Sequence, residues 1–114
     1  TAYAAAAPLA WNSKLEAAAL THTQDMVKNN YFDHIGSDGS NPGTRATAAG
    51  YNWYTIGENI AAGYPDAASV MDGWLRSPGH CANIMNPNFK DIGVASVSGG
   101  SYGTYWTMDL GASR

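Results

Sequence analysis

Near the end of the chain, the segments Ile92 to Ser98 and Tyr102 to Leu110 alternate in character and are separated only by Gly99, Gly100 and Ser101. That pattern reads as an antiparallel hairpin. Everything upstream must supply something to cover it. Asn12 or Ser13 can cap a helix by satisfying free backbone N–H groups. From there Leu15, Ala18, Ala19, His22 and Met26 recur at spacings of three and four, which predicts a helix to about Asn29 with one inward face. Tyr31 to Pro42 is rich in Gly, Asp, Ser and Pro and reads as a long turn region. A short helix over Thr44 to Ala49 is stopped by Gly50. Asp66 can cap a third helix through Val70, Met71, Trp74 and Leu75, which should break near Pro78 and leave His80 just past its end. A third strand is expected around Thr55 to Ile60, and Thr1 to Trp11 reads as a loose segment. Helices at the start and middle with few strands between them imply an α+β layered fold and not alternating βαβ units. No repeat or linker interrupts the chain.

A length of 114 residues fits one domain over 1–114, and 45% hydrophobic against 13% charged residues is a globular composition. The formal charge is −3 and the six Lys and Arg are scattered. There is no basic stripe to neutralise phosphates, so nucleic acid is not an expected partner. The longest all-apolar run, Ala4 to Ala10, contains Pro8 and is far too short to span a bilayer, so no transmembrane segment is expected. Thr1 is not an initiator methionine, which implies a processed or trimmed N-terminal part. The single cysteine, Cys81, reads either as a buried thiol or as half of a disulfide with a partner beyond these residues.

Four short motifs occur in order: YFDH at Tyr31 to His34, GENIA at Gly57 to Ala61, WLRSPGH at Trp74 to His80, and NIM followed by DIGVA. Together with LAWNSKLEAAA upstream and a terminal YWTMDLG, they closely resemble the bacterial branch of the CAP superfamily. That superfamily includes the cysteine-rich secretory proteins, insect venom antigens and plant pathogenesis-related proteins. The resemblance covers nearly the whole chain. It implies a three-layer α-β-α sandwich with a small central antiparallel sheet, and a large cleft. In many eukaryotic relatives two His and two acidic residues line that cleft, and the family pattern places the first His at His34, the first Glu at Glu58 and the second His at His80. The second acid is missing: after Trp74 this chain has Leu75, Arg76 and Ser77. The resemblance further implies export, to the medium, the periplasm or the cell envelope. It also implies a disulfide from Cys81 to an upstream cysteine, which would restrict the unfolded chain by about 2 to 4 kcal/mol.

His34, His80 and Glu58 are therefore candidate metal ligands, since neutral imidazoles bind zinc well and so short a ligand set leaves an open position. No cofactor is required for folding, and zinc or another divalent cation is expected to be weakly held. On residue types alone, a hydrogen-bonded structural role explains each His better than a ligand role, and only the resemblance brings metal binding level with it. A hydrolase is the alternative: Ser77 as nucleophile with His80 as base and Glu58 as orienter, or Glu58 as general base beside a metal-bound water. Ser77 lies in no GxSxG elbow, which counts against the serine version. A third class is a small ligand, a lipid or a cell-envelope or protein partner, with Trp53, Tyr54, Tyr64 and Tyr105 offering apolar area. A monomer is the expected state. Binding is favoured over turnover. Around the site, Asn59 and Asn83 are expected to fix the backbone near Glu58 and His80, and Arg45 to donate to loop carbonyls. His22 reads as a satisfied packing residue, and Asp33 and Asp38 as Asx-turn formers.

Overall fold

The computed structural model describes residues 9–114. In chain order the elements are β1 (Ala10–Trp11), α1 (Ser13–Asn29), α2 (Pro42–Ala48), β2 (Trp53–Ala62), α3 (Ala67–Arg76), α4 (Pro78–Ile84), β3 (Asp91–Ser98) and β4 (Thr104–Ser113). The strands form one sheet in the order β1-β3-β4-β2. The β3–β4 hairpin is antiparallel, as the sequence predicts, and so is the β4–β2 pair, as the family resemblance implies.

Two expectations about the chain's ends of elements need correcting. Ala10 and Trp11 are not loose: they pair in parallel with Asp91 and Ile92 of β3, so the sheet carries a short parallel edge. Two residues are too few to show a period of two, which is why alternation could not reveal them. Most of the Ala4 to Ala10 run and the rest of the supposed loose segment lie outside the described residues. Pro78 does end α3, but it also starts α4 at once, because its fixed φ suits the first helical turn and its missing N–H would be unpaired there anyway. His80 therefore sits inside a helix and not just past one. Pro42 acts the same way, starting α2 two residues before Thr44 under a capping box between Asn41 and Thr44.

Alternation along β4 sorts the core into two layers. Trp106, Met108 and Leu110 pack with Val70 and Trp74 of α3, Phe89 and Ala61. Tyr105, Thr107 and Asp109 face the other way, toward α1, where Tyr105 meets Met26 and the Thr23 hydroxyl donates to that of Thr107 at 2.8 Å. The result is the three-layer α-β-α arrangement. Asn12 caps α1, accepting from the N–H groups of Lys14 and Leu15, and the helix ends on Asn30 in the left-handed region at φ 51°. Its buried face contains all five positions picked out by periodicity, plus Thr23.

Candidate functional site

Glu58 on β2 stands directly opposite Asp109 on β4, and both side chains point to the α1 face. Glu58 is 6% exposed and Asp109 fully buried, so two carboxyls meet in a low-dielectric layer where two negative charges would be very costly. Arg45, reaching in from α2, supplies a full counter-charge. Its NH2 group donates to Glu58 Oε2 at 3.0 Å and Oε1 at 3.2 Å, and to the His34 carbonyl at 2.9 Å. Its NH1 group donates to the Ser40 carbonyl at 3.1 Å and hydroxyl at 3.2 Å. The expected loop-carbonyl role of Arg45 is thus real, and its ion pair with Glu58 is an addition that sequence reading missed.

His34 joins the same carboxylate, its Nδ1–H donating to Glu58 Oε1 at 2.9 Å. His22, beneath the loop, donates from Nε2 to the Asp33 carbonyl at 2.7 Å. It lies 3.9 Å from Glu58 Oε1, and its Nδ1 has no partner among the described residues, so its packing role is only partly satisfied. The loop carrying His34 is pinned to α1 by Asp25, which accepts from the Tyr31 hydroxyl, from Ser37 N at 2.8 Å and from Ser37 Oγ at 2.6 Å. Asp33 and Asp38 form the expected Asx turns, to Ile35 N and Ser40 N.

On the opposite side, His80 Nδ1 and Ser77 Oγ share a hydrogen bond of 2.9 Å. Asn59 Nδ2 donates to the His80 carbonyl at 3.2 Å, while Asn83 Nδ2 donates to the Glu58 carbonyl at 3.3 Å and to Asn59 Oδ1 at 2.9 Å. The two asparagines therefore stitch β2 to α4, as the sequence suggests.

His34 and His80 line one open cavity of about 660 Å³, with Ile60 on its floor and Ser77 beside His80. Its apolar wall is made by Phe32, Tyr64, Trp74 and Tyr102. Of the aromatics expected there only Tyr64 arrives. Trp53 packs against α2 with its indole N–H on the Gly43 carbonyl, Tyr105 is buried under α1, and Tyr54 is exposed away from the cavity. Among the described residues no three His, Cys, Asp or Glu side chains are grouped to hold a metal ion. Cys81, the single cysteine of the sequence, is half-buried in α4.

The ionisation of the cluster follows from this packing. Burial pushes Asp109 well above the ordinary carboxylate range, and the neighbouring Glu58 charge adds to the effect. Burial acts on Glu58 in the same sense, but the hydrogen bond from His34, the adjoining Asp109 carboxyl and the Arg45 charge outweigh it and hold Glu58 below its usual value. Of the two carboxyls Glu58 therefore gives up its proton first, and Asp109 holds its own to higher pH. The Glu58 hydrogen bond raises His34, whereas burial and then the His34 charge lower His80.

Asp109 was absent from the candidate site residues, although alternation in YWTMDLG places it inward beside Thr107. Its proton makes a test. A carboxyl with a raised folded-state pKa takes up a proton on folding, so stability falls as pH rises from about 4 toward that raised value. Asp109→Asn puts an uncharged amide donor beside Glu58 and removes this dependence. It is expected to be at least as stable as the parent at pH 8, with its relative advantage larger at pH 8 than at pH 5, in urea unfolding. A loss of more than about 2 kcal/mol at pH 8 would show that Asp109 is needed as an anion.

A family model described as the cysteine-rich secretory protein family, CAP, matches residues 2–110. The Bacillus subtilis protein YkwD is 40% identical over 103 residues, covering 90% of this chain and 39% of YkwD. The Bacillus subtilis membrane protein YlbC is 33% identical over 88 residues, covering 77% of this chain and 25% of YlbC. The chain thus spans less than half of each of these relatives. Among solved structures, an extracellular protein containing an SCP domain from Bacillus anthracis superposes with a TM-score of 0.82 at 32% identity, over 93% of this chain and 34% of that one. An outer surface protein of Borrelia burgdorferi superposes with a TM-score of 0.86 at 20% identity, over 96% of this chain and 80% of that one, a likeness of fold alone.

Proposed function

The chain belongs to the cysteine-rich secretory protein (CAP) family, and on that premise we propose that its cleft is a binding site taking a divalent cation, zinc foremost, on Nε2 of His34 and His80. One observation carries the reading. Both imidazoles line the same cavity, and each has Nδ1 already engaged by the protein, by Glu58 and by Ser77. A histidine whose other nitrogen donates to a carboxylate, as His34 does to Glu58, is fixed in the tautomer that offers Nε2 as a lone pair, the arrangement usual behind metal-binding imidazoles, and the Ser77 hydroxyl can accept from His80 Nδ1–H in the same tautomer. Among the described residues neither Nε2 makes a hydrogen bond. Glu58 acts here through His34, since Arg45 and His34 occupy its two oxygens. Two protein ligands leave the remaining coordination to water or to a bound ligand, which makes the site weak and open.

A hydrolase is the lesser reading. The Ser77–His80 contact has the length of a nucleophile–base pair, but among the described residues His80 has no orienting partner on its other nitrogen, and Glu58 is committed to Arg45 and His34. An extracytoplasmic setting is supported by the extracellular and outer-surface descriptions of the two similar structures. No helix among the described residues is long and apolar enough to cross a membrane.

Zinc titration by calorimetry tests the assignment. His34→Ala and His80→Ala should each weaken binding by at least about tenfold while thermal melts remain cooperative. Equal affinity in the parent and both variants would remove the imidazoles from the site.

A further inference from the structure

The cleft floor is the free edge of the sheet. Strand β2 has β4 on one side and, among the described residues, no strand on the other. In an antiparallel ladder the residues alternate: one exchanges both backbone bonds with its partner, and the next turns its N–H and C=O away. The phase is fixed here. Gly63 N donates to the Thr104 carbonyl at 2.8 Å, continuing the register in which Ala61 faces Trp106 and Asn59 faces Met108. Hence Asn59 and Ala61 bond to β4, while Glu58, Ile60 and Ala62 turn their backbone groups to the open edge.

Side-chain bonds agree with that phase. The outward carbonyl of Glu58 accepts from Asn83, and that of Ile60 accepts from the Trp74 indole N–H at 3.2 Å. These two side chains close the edge at that end against a long added strand. Beyond Trp74 the protection stops. The N–H and C=O of Ala62 have no partner among the described residues, nor does the N–H of Ile60, although Ile60 is only 6% exposed. Unmatched backbone groups that close to the core are rare unless something outside the chain meets them. Both residues line the cleft between Tyr64, Trp74 and Tyr102.

We propose that this stretch of edge is a subsite for one extended peptide segment, paired to Ala62 through both of its outward backbone groups. A free donor and a free acceptor on one residue complement the N–H and C=O of a single peptide residue in extended form, the local bond pattern of strand addition. The next carbonyl on the same side of the ligand, about 6.7 Å along, falls opposite the Ile60 N–H. The ligand's N–H there meets a carbonyl already held by Trp74, so the pairing is short and involves one or two residues. The aromatic wall then receives an apolar side chain. A simple anion would use the donors and leave the Ala62 carbonyl bare, and a purely apolar ligand would use neither. The inference rests on the reading of the cleft as a binding site but not on its cation.

The probe is the blocked tripeptide acetyl-alanyl-phenylalanyl-alanine amide, titrated into 15N-labelled protein with EDTA present. Saturable shifts are expected, with the amide protons of Ala62 and Ile60 moving furthest downfield. Ala62→Pro deletes the outward N–H without removing a bond to β4, which an edge strand tolerates. It should weaken binding about tenfold. Should that variant fail to fold, an ester in place of the phenylalanine N–H of the probe gives the same test from the ligand's side. Absence of saturable shifts at Ala62 and Ile60, equal affinity for the ester and the amide, or equal affinity for 2-phenylethanol would each overturn the proposal. Zinc binding measured separately tells the two readings apart: zinc without peptide binding overturns this inference alone, and peptide binding in EDTA upholds it whatever zinc does.

Discussion

Replacing Arg45 by methionine is expected to cost about 3 to 5 kcal/mol, because it leaves the Glu58 charge buried without its cation. The guanidinium is 5% exposed in its side chain and the carboxylate 1%, so water cannot take over the interaction. Methionine preserves much of the apolar stem, which separates loss of charge from loss of packing. Two consequences distinguish this account from a merely structural arginine. First, the same group ties down the carbonyls of His34 and Ser40, so the loop bearing His34 should loosen with it. Second, adding Glu58→Gln to Arg45→Met should recover part of the loss, because the orphaned charge disappears. Urea unfolding of the two single variants and the double variant measures the coupling. A loss below about 1 kcal/mol for Arg45→Met would mean that Glu58 is carried neutral and that the charge distribution described for the site is wrong.

The second large effect is steric. Gly93 in β3 lies opposite Asp109, on the face covered by α1. A Cβ added there would stand 2.1 Å from the Glu16 backbone nitrogen and 2.4 Å from the Leu15 carbonyl carbon, well inside contact distance. The obstacle is helix backbone and not the end of a flexible side chain, so Gly93→Ala must lift the first turn of α1 off the sheet. That would open space around Leu15, Ala18 and Ala19, all buried. The expected cost is about 3 kcal/mol or more, from overpacking and lost contact together. Gly79→Ala in α4 is the control. A Cβ there meets nothing within 4 Å, and alanine favours helix, so stability should hold or rise. A Gly93→Ala loss under about 1 kcal/mol would contradict the close approach of α1 to β3.

Much of the scaffold was legible in the sequence because it depends on short-range pattern. The inward face of α1, the Asn12 and Asp66 caps and the β3–β4 hairpin follow from spacing within a few residues. The failures share a different cause. Pro78 marks both a stop and a start, and only the packing of α4 against β2 through Asn59 and Asn83 decides between them. β1 is too short to show a period. The Arg45 to Glu58 pair joins α2 to β2, and Glu58 meets Asp109 across the sheet. Periodicity can say that a residue faces inward but not which charge it will find there. An aspartate at an inward position of β4 was the available signal, since such a group must be protonated or paired. The aromatic wall was misjudged for a related reason: Trp53 and Tyr105 are as apolar as Tyr64 and Tyr102, and only the folded layers determine which reach the cleft. His34, Glu58 and His80 came from family resemblance. The structure adds their connections: Glu58 is the buried anchor, and the two imidazoles present nitrogens without a hydrogen-bond partner among the described residues to one cavity.

Zinc titration followed through the imidazole nitrogens reads that division of roles at the atoms involved. Long-range 1H–15N spectra of His34 and His80 should show Nδ1 protonated in both rings of the neutral forms. On adding zinc the Nε2 signals of both residues should move together and saturate at a common stoichiometry, with both Nδ1–H groups retained. Zinc that shifts one ring only, that displaces a proton from Nδ1, or that leaves both Nε2 signals in place would contradict the account.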